Sequence, residues 1–174
     1  GRLQRPARPW INVLANPDFG TQVSEAGGGC TWAVNSRLHQ VTAWSNDPVA
    51  DPPCEWLLLQ DLRTRHVWSA CPSAWGAGDT LYRVRHGQGH TVVEHRHGLL
   101  DVSVTWCVDP LLAVKQLQLK LVNRGGTALQ LRVLNLAEWM MGERRSDRRS
   151  VATALHQQRL GATGMGQVPR RLTA

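Results

Sequence analysis

Tryptophans alternate with amide, hydroxyl, guanidinium and carboxylate side chains between residues 9 and 53. Aromatic faces stack on the C–H faces of a sugar ring, and planar polar side chains exchange hydrogen bonds with its hydroxyl groups. This stretch shows no ordinary core periodicity, so we interpret it as polar loop sequence. It predicts contact with a polyhydroxylated ligand through six residues: Trp32, Asn35, Arg37, Trp44, Asn46 and Asp47.

Histidines suggest a second chemistry, because their types and spacing suit a metal ion. His95 and His97 share one face of an extended segment, but Arg96 lies between them. The remaining members of the group are His86, His90 and Glu94. A solvated or hydrogen-bonded polar surface is the favoured interpretation, and we expect no metal and no cofactor.

The glycine-rich segment at residues 26–30 resembles a phosphate-binding loop only in composition, because it lacks the lysine and the spacing of that motif. A flexible hairpin turn is favoured there. Ser, His and Asp residues occur along the chain, but none lies in the sequence context of a nucleophilic serine. We therefore expect no nucleophilic catalysis within this chain.

A basic run at residues 142–149 and a calculated pI of about 10.2 would suit nucleic acid. Glu143 and Asp147 interrupt the run, however, and the aromatic residues lie elsewhere. A solvated or interdomain charge patch is favoured, and we expect no nucleic-acid partner.

The elements that must position these residues are β-strands. Alternating apolar and polar residues at 100–109, 114–123 and 127–139 predict three consecutive strands of an antiparallel meander. Residues 55–60 and 66–69 predict a hairpin, and residues 82–86 and 91–95 predict two further strands. The sequence thus predicts an all-β antiparallel β-sandwich at residues 1–142. We expect residues 143–174 to be a loosely ordered basic and glycine-rich tail or the start of a continuation.

Length and composition favour one globular domain in a chain of 174 residues with a formal net charge of +7. Its four cysteines lack zinc or redox spacing, so free thiols are favoured over disulfides. Lys115 and Lys120 are the only lysines, and such dominance of arginine suggests a bacterial genome rich in G and C. The chain begins without Met and contains no signal peptide or apolar membrane span, so we expect a soluble piece of a longer protein.

Short motifs along the chain carry a family resemblance in combination. They are Pro9-Trp10-Ile11-Asn12-Val13, Asn16-Pro17, Phe19-Gly20, Val23-Ser24-Glu25, Thr31-Trp32, Asn35-Ser36-Arg37, Trp44-Ser45-Asn46-Asp47-Pro48, Asp51-Pro52, Val67-Trp68-Ser69, Tyr82-Arg83-Val84-Arg85-His86-Gly87, Glu94-His95 and Glu138-Trp139. Together they resemble the amino-terminal domain of the inverting disaccharide phosphorylases of glycoside hydrolase family 94, formerly glycosyltransferase family 36. Within that family the chain is most similar to the phosphorylase-like region at the carboxyl end of cyclic β-1,2-glucan synthases.

The resemblance implies a supersandwich of the galactose-mutarotase type, which in the family precedes a helical linker and a catalytic (α/α)-barrel. The family's reaction is inverting phosphorolysis of β-glucosidic bonds, with an Asp as general acid and inorganic phosphate as nucleophile. Because the resemblance assigns these groups to the barrel, none of the thirteen acidic residues here takes the acid's role.

Two hypotheses follow from the resemblance. In the first, the chain is a non-catalytic domain that contacts β-glucan or gluco-oligosaccharide beside the barrel of its parent. In the second, it is a structural module that packs against the barrel or forms a homodimer. The resemblance implies a bacterial parent, a glycosyltransferase or phosphorylase acting on β-glucan, located at the inner membrane or in the cytoplasm.

Overall fold

A computed structural model describes residues 10–47, 50, 52–72 and 80–152 of the chain. These residues form twelve strands and one 3₁₀ helix, and no helix among them is long and apolar enough to cross a membrane. The strands are β1 (Ile11–Ala15), β2 (Phe19–Ser24), β3 (Gly29–Ala33), β4 (Gln40–Thr42), β5 (Glu55–Asp61), β6 (Val67–Ser69), β7 (Tyr82–Gly87), β8 (His90–His97), β9 (Leu100–Val108), β10 (Lys115–Asn123), β11 (Leu131–Ala137) and β12 (Trp139–Gly142), and the 3₁₀ helix is Arg145–Ser150. The predicted continuation at residues 153–174 lies outside the described residues.

Three antiparallel sheets make up the sandwich. The first has the order β1-β2-β3-β4-β12, the second β10-β9-β8-β7 and the third β11-β5-β6. The predicted hairpin of β5 and β6 is confirmed by the pairing of Leu58 with Ser69. The predicted strands β7 and β8 are also confirmed, and they pair from Tyr82 and His95 to Gly87 and His90. The all-β antiparallel fold class is therefore confirmed.

The polar stretch at residues 9–53 contains four strands, which corrects its interpretation as loop. It supplies β1, β2, β3 and β4, four of the five strands of the first sheet. Its threonines are buried: Thr21 is 0% exposed and Thr42 is 2% exposed. The hydroxyl of Thr21 donates to the carbonyl of Cys30, and the hydroxyl oxygens of Thr21 and Thr31 lie 3.2 Å apart. Buried hydroxyls with hydrogen-bond partners are stable in a core, so a polar pattern here does not mean solvent exposure.

The predicted meander of β9, β10 and β11 is wrong at its third strand. Strands β9 and β10 pair along their full length, but β11 pairs with β5, from Leu131 opposite Asp61 to Ala137 opposite Glu55. Seven residues separate Asn123 from Leu131, enough to cross between sheets instead of closing a tight hairpin. Alternation determines which face of a strand is buried, but it does not select the neighbouring strand.

The main core lies between the sheets and receives residues from all three. Strand β9 follows the predicted alternation, with Val102, Val104 and Trp106 at most 6% exposed. The other buried members are Leu14, Val23, Leu57, Leu59, Trp68, Ala70, Cys71, Val93 and Leu100. A smaller cluster contains Cys30, Ala43, Cys54 and Met140, with Trp32 packed against it. Burial of this apolar area is the main stabilising contribution to the fold.

Two asparagines of β1 and its following turn attach the first sheet to the second. The Asn12 amide nitrogen lies 2.9 Å from the carbonyl oxygens of Gly87 and His90. The Asn16 amide nitrogen donates to the carbonyls of Asp109 and Leu112, at 2.8 and 2.9 Å. These polar residues therefore satisfy backbone groups of the facing sheet.

Candidate functional site

The six residues predicted to contact a ligand divide into two groups at opposite ends of β4. Asn35 and Arg37 lie in the hairpin loop that precedes this strand, and Trp32 pairs with Gln40 next to that loop. Trp44, Asn46 and Asp47 follow the strand at its other end. The structure thus places the six residues on either side of the three-residue strand β4. Their contact with sugar stays a prediction.

Trp32 lies in β3, which corrects its placement in loop sequence. Its indole is half-buried and packs against the small core cluster. The ring covers Gly20 of the neighbouring strand so closely that a methyl group at Gly20 would overlap it. An aromatic ring that covers a cross-strand glycine stabilises the sheet, so much of this indole face is already in contact with protein.

The loop before β4 is shaped by one asparagine. The Oδ1 atom of Asn35 accepts hydrogen bonds from the backbone N–H groups of Arg37 and Leu38, both at 2.9 Å. This is an Asx turn, a common local use of asparagine. The Arg37 side chain is exposed at the loop tip. Of this first group, Arg37 has the side chain most accessible to a ligand.

The segment after β4 combines an exposed ring with polar side chains. Trp44 is 40% exposed, and its backbone N–H donates to Oε1 of Gln40 at 3.2 Å. Asn46 adopts a left-handed conformation with φ of 52°, which asparagine tolerates better than most residues. Asp47 Oδ1 accepts the N–H of Ala50 at 3.0 Å. This second group, Trp44 with Asn46 and Asp47, is called the Trp44 loop below.

A partly buried ion pair joins the three sheets near the small core cluster. Lys115 of the second sheet contacts Glu55 of the third, with Nζ and Oε2 2.5 Å apart. The other carboxylate oxygen, Oε1, accepts hydrogen bonds from the hydroxyls of Thr31 and Thr42 in the first sheet, at 2.6 and 2.9 Å. Burial alone would raise the pKa of Glu55, but the ammonium of Lys115 and these hydroxyls lower it below its ordinary value. The carboxylate therefore stays ionised as a structural link.

Sequence reasoning missed this pair. Glu55 and Lys115 are 60 residues apart, so no local motif connects them. The available signal was weak: Glu55 begins the apolar strand β5, and Lys115 is one of only two lysines. Their side chains are 26% and 17% exposed. A charged residue at the start of a buried strand requires a partner, and that requirement was the usable clue.

The histidines do not form a metal site in the described part of the chain, where no group of three or more potential ligands lies together. The burial of His95 corrects the interpretation of the histidine group as a solvated surface. This residue is 6% exposed, and its ring packs on that of Tyr82 with centroids 4.7 Å apart. Neither ring nitrogen of His95 has a hydrogen-bond partner among the described residues. Burial, with a smaller effect of nearby His97, lowers the pKa of His95 to about 4. The ring is therefore neutral at neutral pH.

Three of the four cysteines are poor nucleophiles. All four are free, and three of them are buried. Burial raises the pKa of Cys30 to about 12, that of Cys54 to about 11 and that of Cys71 to about 12. Because the thiolate is the reactive form, these thiols are unreactive at neutral pH. The predicted free thiols are confirmed.

The remaining sequence motifs have structural roles. Residues 25–28 form the predicted turn between β2 and β3, closed by a hydrogen bond from the N–H of Ser24 to the carbonyl of Gly28. In the basic run, Arg145 and Arg148 both contact Oε1 of Glu138, at 2.5 and 3.4 Å. Both arginine side chains are more than half exposed, so these pairs contribute little to stability.

Comparison with known proteins agrees with this architecture. A family model described as "Glycosyl hydrolase 94, supersandwich domain" matches residues 2–161. The chain is 34% identical over 139 residues to the cyclic beta-(1,2)-glucan synthase NdvB of Rhizobium meliloti (strain 1021). That match covers 80% of this chain and 5% of NdvB, so the chain corresponds to a small part of that bacterial protein. With three antiparallel sheets around one core, the chain belongs to the glycosyl hydrolase 94 family as a supersandwich domain related to those of glucan synthases and phosphorylases.

Proposed function

We propose that this chain is a non-catalytic domain that contacts carbohydrate within a bacterial enzyme acting on β-glucan. The observation that carries the proposal is the Trp44 loop, where an indole that is 40% exposed is followed within three residues by an exposed amide and an exposed carboxylate. Such a combination fits the C–H face and the hydroxyls of a glucose unit. NdvB, to which the chain is similar, is a cyclic β-(1,2)-glucan synthase, so β-1,2-linked gluco-oligosaccharides are the appropriate probe.

The state of the acidic side chains supports a role without catalysis. A general acid of an inverting reaction needs a raised pKa to hold its proton. Four described carboxyl groups have a pKa below the ordinary value, those of Glu55, Asp61, Asp101 and Asp147. Asp101 illustrates the cause: hydrogen bonds from Arg96 and Arg124 lower its pKa to about 2. We place the acid and the phosphate site in an (α/α)-barrel of the parent, in the cytoplasm or at the inner membrane.

Titration of the chain with β-1,2-linked oligosaccharides, followed by tryptophan fluorescence, tests the binding proposal. We expect a saturable change at millimolar sugar that Trp44→Ala reduces. Trp10→Ala is the matched control, because Trp10 is 63% exposed and lies at the β1 edge, three strands or about 14 Å from β4. A flat titration, or equal binding by Trp44→Ala, refutes sugar contact at this loop.

A second variant separates the polar contribution from the shape of the loop. Asn46→Gly removes the amide while glycine adopts the left-handed conformation readily. We expect weaker binding, by about threefold to tenfold, with an unchanged unfolding midpoint. To test the absence of catalysis, the chain is incubated with inorganic phosphate and the same oligosaccharide. Release of glucose 1-phosphate would overturn the non-catalytic assignment.

Exposed apolar side chains favour an alternative, a structural module between domains or between two copies of the chain. The edge strand β11 presents Val133 and Leu136, which are 47% and 48% exposed. Leu111 and Leu112, just before β10, are 88% and 52% exposed. Apolar groups at free sheet edges are typical of surfaces that pair with another element. Sedimentation equilibrium of the chain and of Val133→Asp tests the dimer, which predicts that the substitution shifts the mass from two chains to one.

A further inference from the structure

A second concave surface lies where the third sheet meets the second, away from the Trp44 loop. It forms an open cleft of about 510 Å³ between the β5–β6 hairpin, the β8–β9 turn and residues 123–131. Small-molecule sites commonly have volumes of roughly 300–1,000 Å³, so this space can hold a ring-sized ligand. We call it the His66 cleft, after the exposed imidazole at its wall.

One wall of the His66 cleft consists of three nearly parallel rings. His97, at the end of β8, lies against Trp68 with centroids 4.2 Å apart and against His66 at 5.2 Å. The interplanar angles are 11° and 9°. Burial, and then the proximity of His66, lowers the pKa of His97, which keeps that ring neutral at neutral pH. Leu99 and Leu129 add apolar surface and are 63% and 39% exposed.

The rim of the His66 cleft carries polar groups held in fixed positions. Asp61 Oδ1 accepts the N–H groups of Arg63 and Thr64, at 2.8 and 3.0 Å. The Thr64 N–H is the largest cause that lowers the pKa of Asp61, so this carboxylate is ionised at neutral pH. On the opposite rim, Asn123 Nδ2 donates to the carbonyl of Thr127 at 2.8 Å.

One wall residue has an unmet hydrogen bond. The indole N–H of Trp68 has no acceptor among the described residues, although Trp68 is only 2% exposed. Buried donors without a partner are uncommon in native proteins, but this nitrogen is sealed from the open cleft, so it does not select an occupant. Apolar walls with the Asp61 carboxylate and the Asn123 amide at the rim match a ring that has C–H faces and an equator of hydroxyl groups.

We propose that the His66 cleft binds one pyranose unit of a neutral gluco-oligosaccharide, as a site separate from the Trp44 loop. The choice of glucose rests on the proposed function, whereas the preference for a hydroxylated ring rests on the cleft itself. Gly126 lines one side, and no atom lies within 4 Å of the position that its Cβ would occupy. This side is open, so the next unit of a bound oligosaccharide has room to extend out of the cleft.

The test follows the imidazole C–H resonances of His66 and His97 by NMR while the chain is titrated with a β-1,2-linked glucose disaccharide. We expect saturable shifts with a dissociation constant in the millimolar range, as befits a small ligand with few anchors. Gly126→Leu should fill the cleft and weaken these shifts at least about tenfold, whereas Gly126→Ala should leave them nearly unchanged. If Gly126→Leu does not fold, His66→Ala replaces it.

Measuring each variant with the readout of the other site separates the His66 cleft from the Trp44 loop. Trp44→Ala should retain the histidine shifts, and Gly126→Leu should retain the fluorescence change of Trp44. Histidine signals that stay fixed while Trp44 saturates would overturn the cleft and leave the proposed function intact. Loss of the histidine shifts in Trp44→Ala would also overturn the proposal of a separate site in the cleft. Histidine shifts produced by a purine nucleoside and not by the disaccharide would overturn it as well.

Discussion

Replacing Lys115 with methionine tests whether one ion pair holds the three sheets together. Methionine keeps the length and apolar stem of lysine but leaves the Glu55 carboxylate without its cation. The hydroxyls of Thr31 and Thr42 still donate to that carboxylate, so the perturbation is confined to the charge. We expect the folded chain to form with a lower free energy of unfolding.

The magnitude follows from the burial of the pair. Breaking one side of a fully buried pair costs about 3–5 kcal/mol, whereas an exposed pair contributes about 1 kcal/mol or less. The side chains of Lys115 and Glu55 are 17% and 26% exposed, which places this pair nearer to the buried limit. We therefore expect Lys115→Met to lower the free energy of unfolding by about 3 kcal/mol at pH 7. In the double variant Lys115→Met with Glu55→Gln, about 2 kcal/mol of the lost free energy of unfolding should be recovered.

The pH dependence gives a sharper signature than the magnitude. In the natural chain the pKa of Glu55 lies below its ordinary value of 4.5, so its contribution to stability is complete above pH 4.5 and is lost as the pH falls. In Lys115→Met, burial is no longer opposed by the ammonium, and the pKa of Glu55 should rise. That variant should lose stability as the pH rises above 4.5. The gap between the two proteins should thus be small at pH 4 and widest near pH 7.

Urea unfolding followed by tryptophan fluorescence from pH 4 to pH 8 measures both effects, provided that the slope with urea is the same for each variant. Lys120→Met is the matched control, because Lys120 is exposed and should change stability by less than about 0.5 kcal/mol. A penalty for Lys115→Met below about 1 kcal/mol would show that the pair behaves as a solvated one. A penalty independent of pH would show that the loss comes from packing and not from charge.

Three further predictions concern the polar and backbone features of the sandwich. Asn16→Ala removes the hydrogen bonds to the loop at residues 109–112 and should lower the free energy of unfolding by about 1–3 kcal/mol in urea titrations. Gly29→Ala should lower the free energy of unfolding by about 3 kcal/mol or more, because φ is 150° and the new methyl group would overlap a carbonyl of β2. Gly89→Ala should lower it by about 1 kcal/mol, because φ is 75° but the methyl group would enter open space. The pKa of His95 is about 4 in the folded chain against an ordinary 6.5, so its contribution to the free energy of unfolding is complete above pH 6.5. Roughly 3 kcal/mol of that free energy is lost as the pH falls to 4. His95→Phe should remove this part of the pH dependence in thermal unfolding scans.

Strands whose faces differ strongly in polarity could be predicted from the sequence. In β9 the alternation of Val102 and Val104 with hydroxyl residues gives one buried face and one half-exposed face, and the structure confirms it. The hairpin of β5 and β6 could also be predicted, because a short polar turn joins two apolar segments. Both signals are local, since a strand and its tight turn are adjacent in sequence.

The partner of β11 could not be predicted, because it depends on contacts far along the chain. Leu131 lies opposite Asp61, seventy residues earlier, and nothing near Leu131 encodes that pairing. The first sheet was missed for a different reason. Its buried positions include Thr21 and Thr42, whose hydroxyls donate to the carbonyl of Cys30 and to the carboxylate of Glu55, so the sequence there lacks the apolar pattern on which strand prediction depends.

The candidate site was predicted by residue type but not by geometry. Tryptophan and asparagine suit a sugar, yet the same types also stabilise a sheet, and sequence alone does not distinguish the two uses. Trp32 covers a glycine and Asn35 closes its own turn, whereas Trp44 presents an exposed ring beside polar groups. The exposed area of each ring in the folded chain makes this distinction.

The motifs that resemble the family therefore report the fold more directly than they report the ligand. Asn12 and Asn16 belong to those motifs, and their amides are committed to the carbonyls of the facing sheet. A chain can retain such residues because the sandwich requires them, whatever its parent enzyme does with sugar. Evidence for binding must come from groups that the fold does not need, such as the exposed indole of Trp44 and the open imidazole of His66. Substitutions at these two positions should change ligand titrations with little change in stability, and the opposite result would assign both rings to packing.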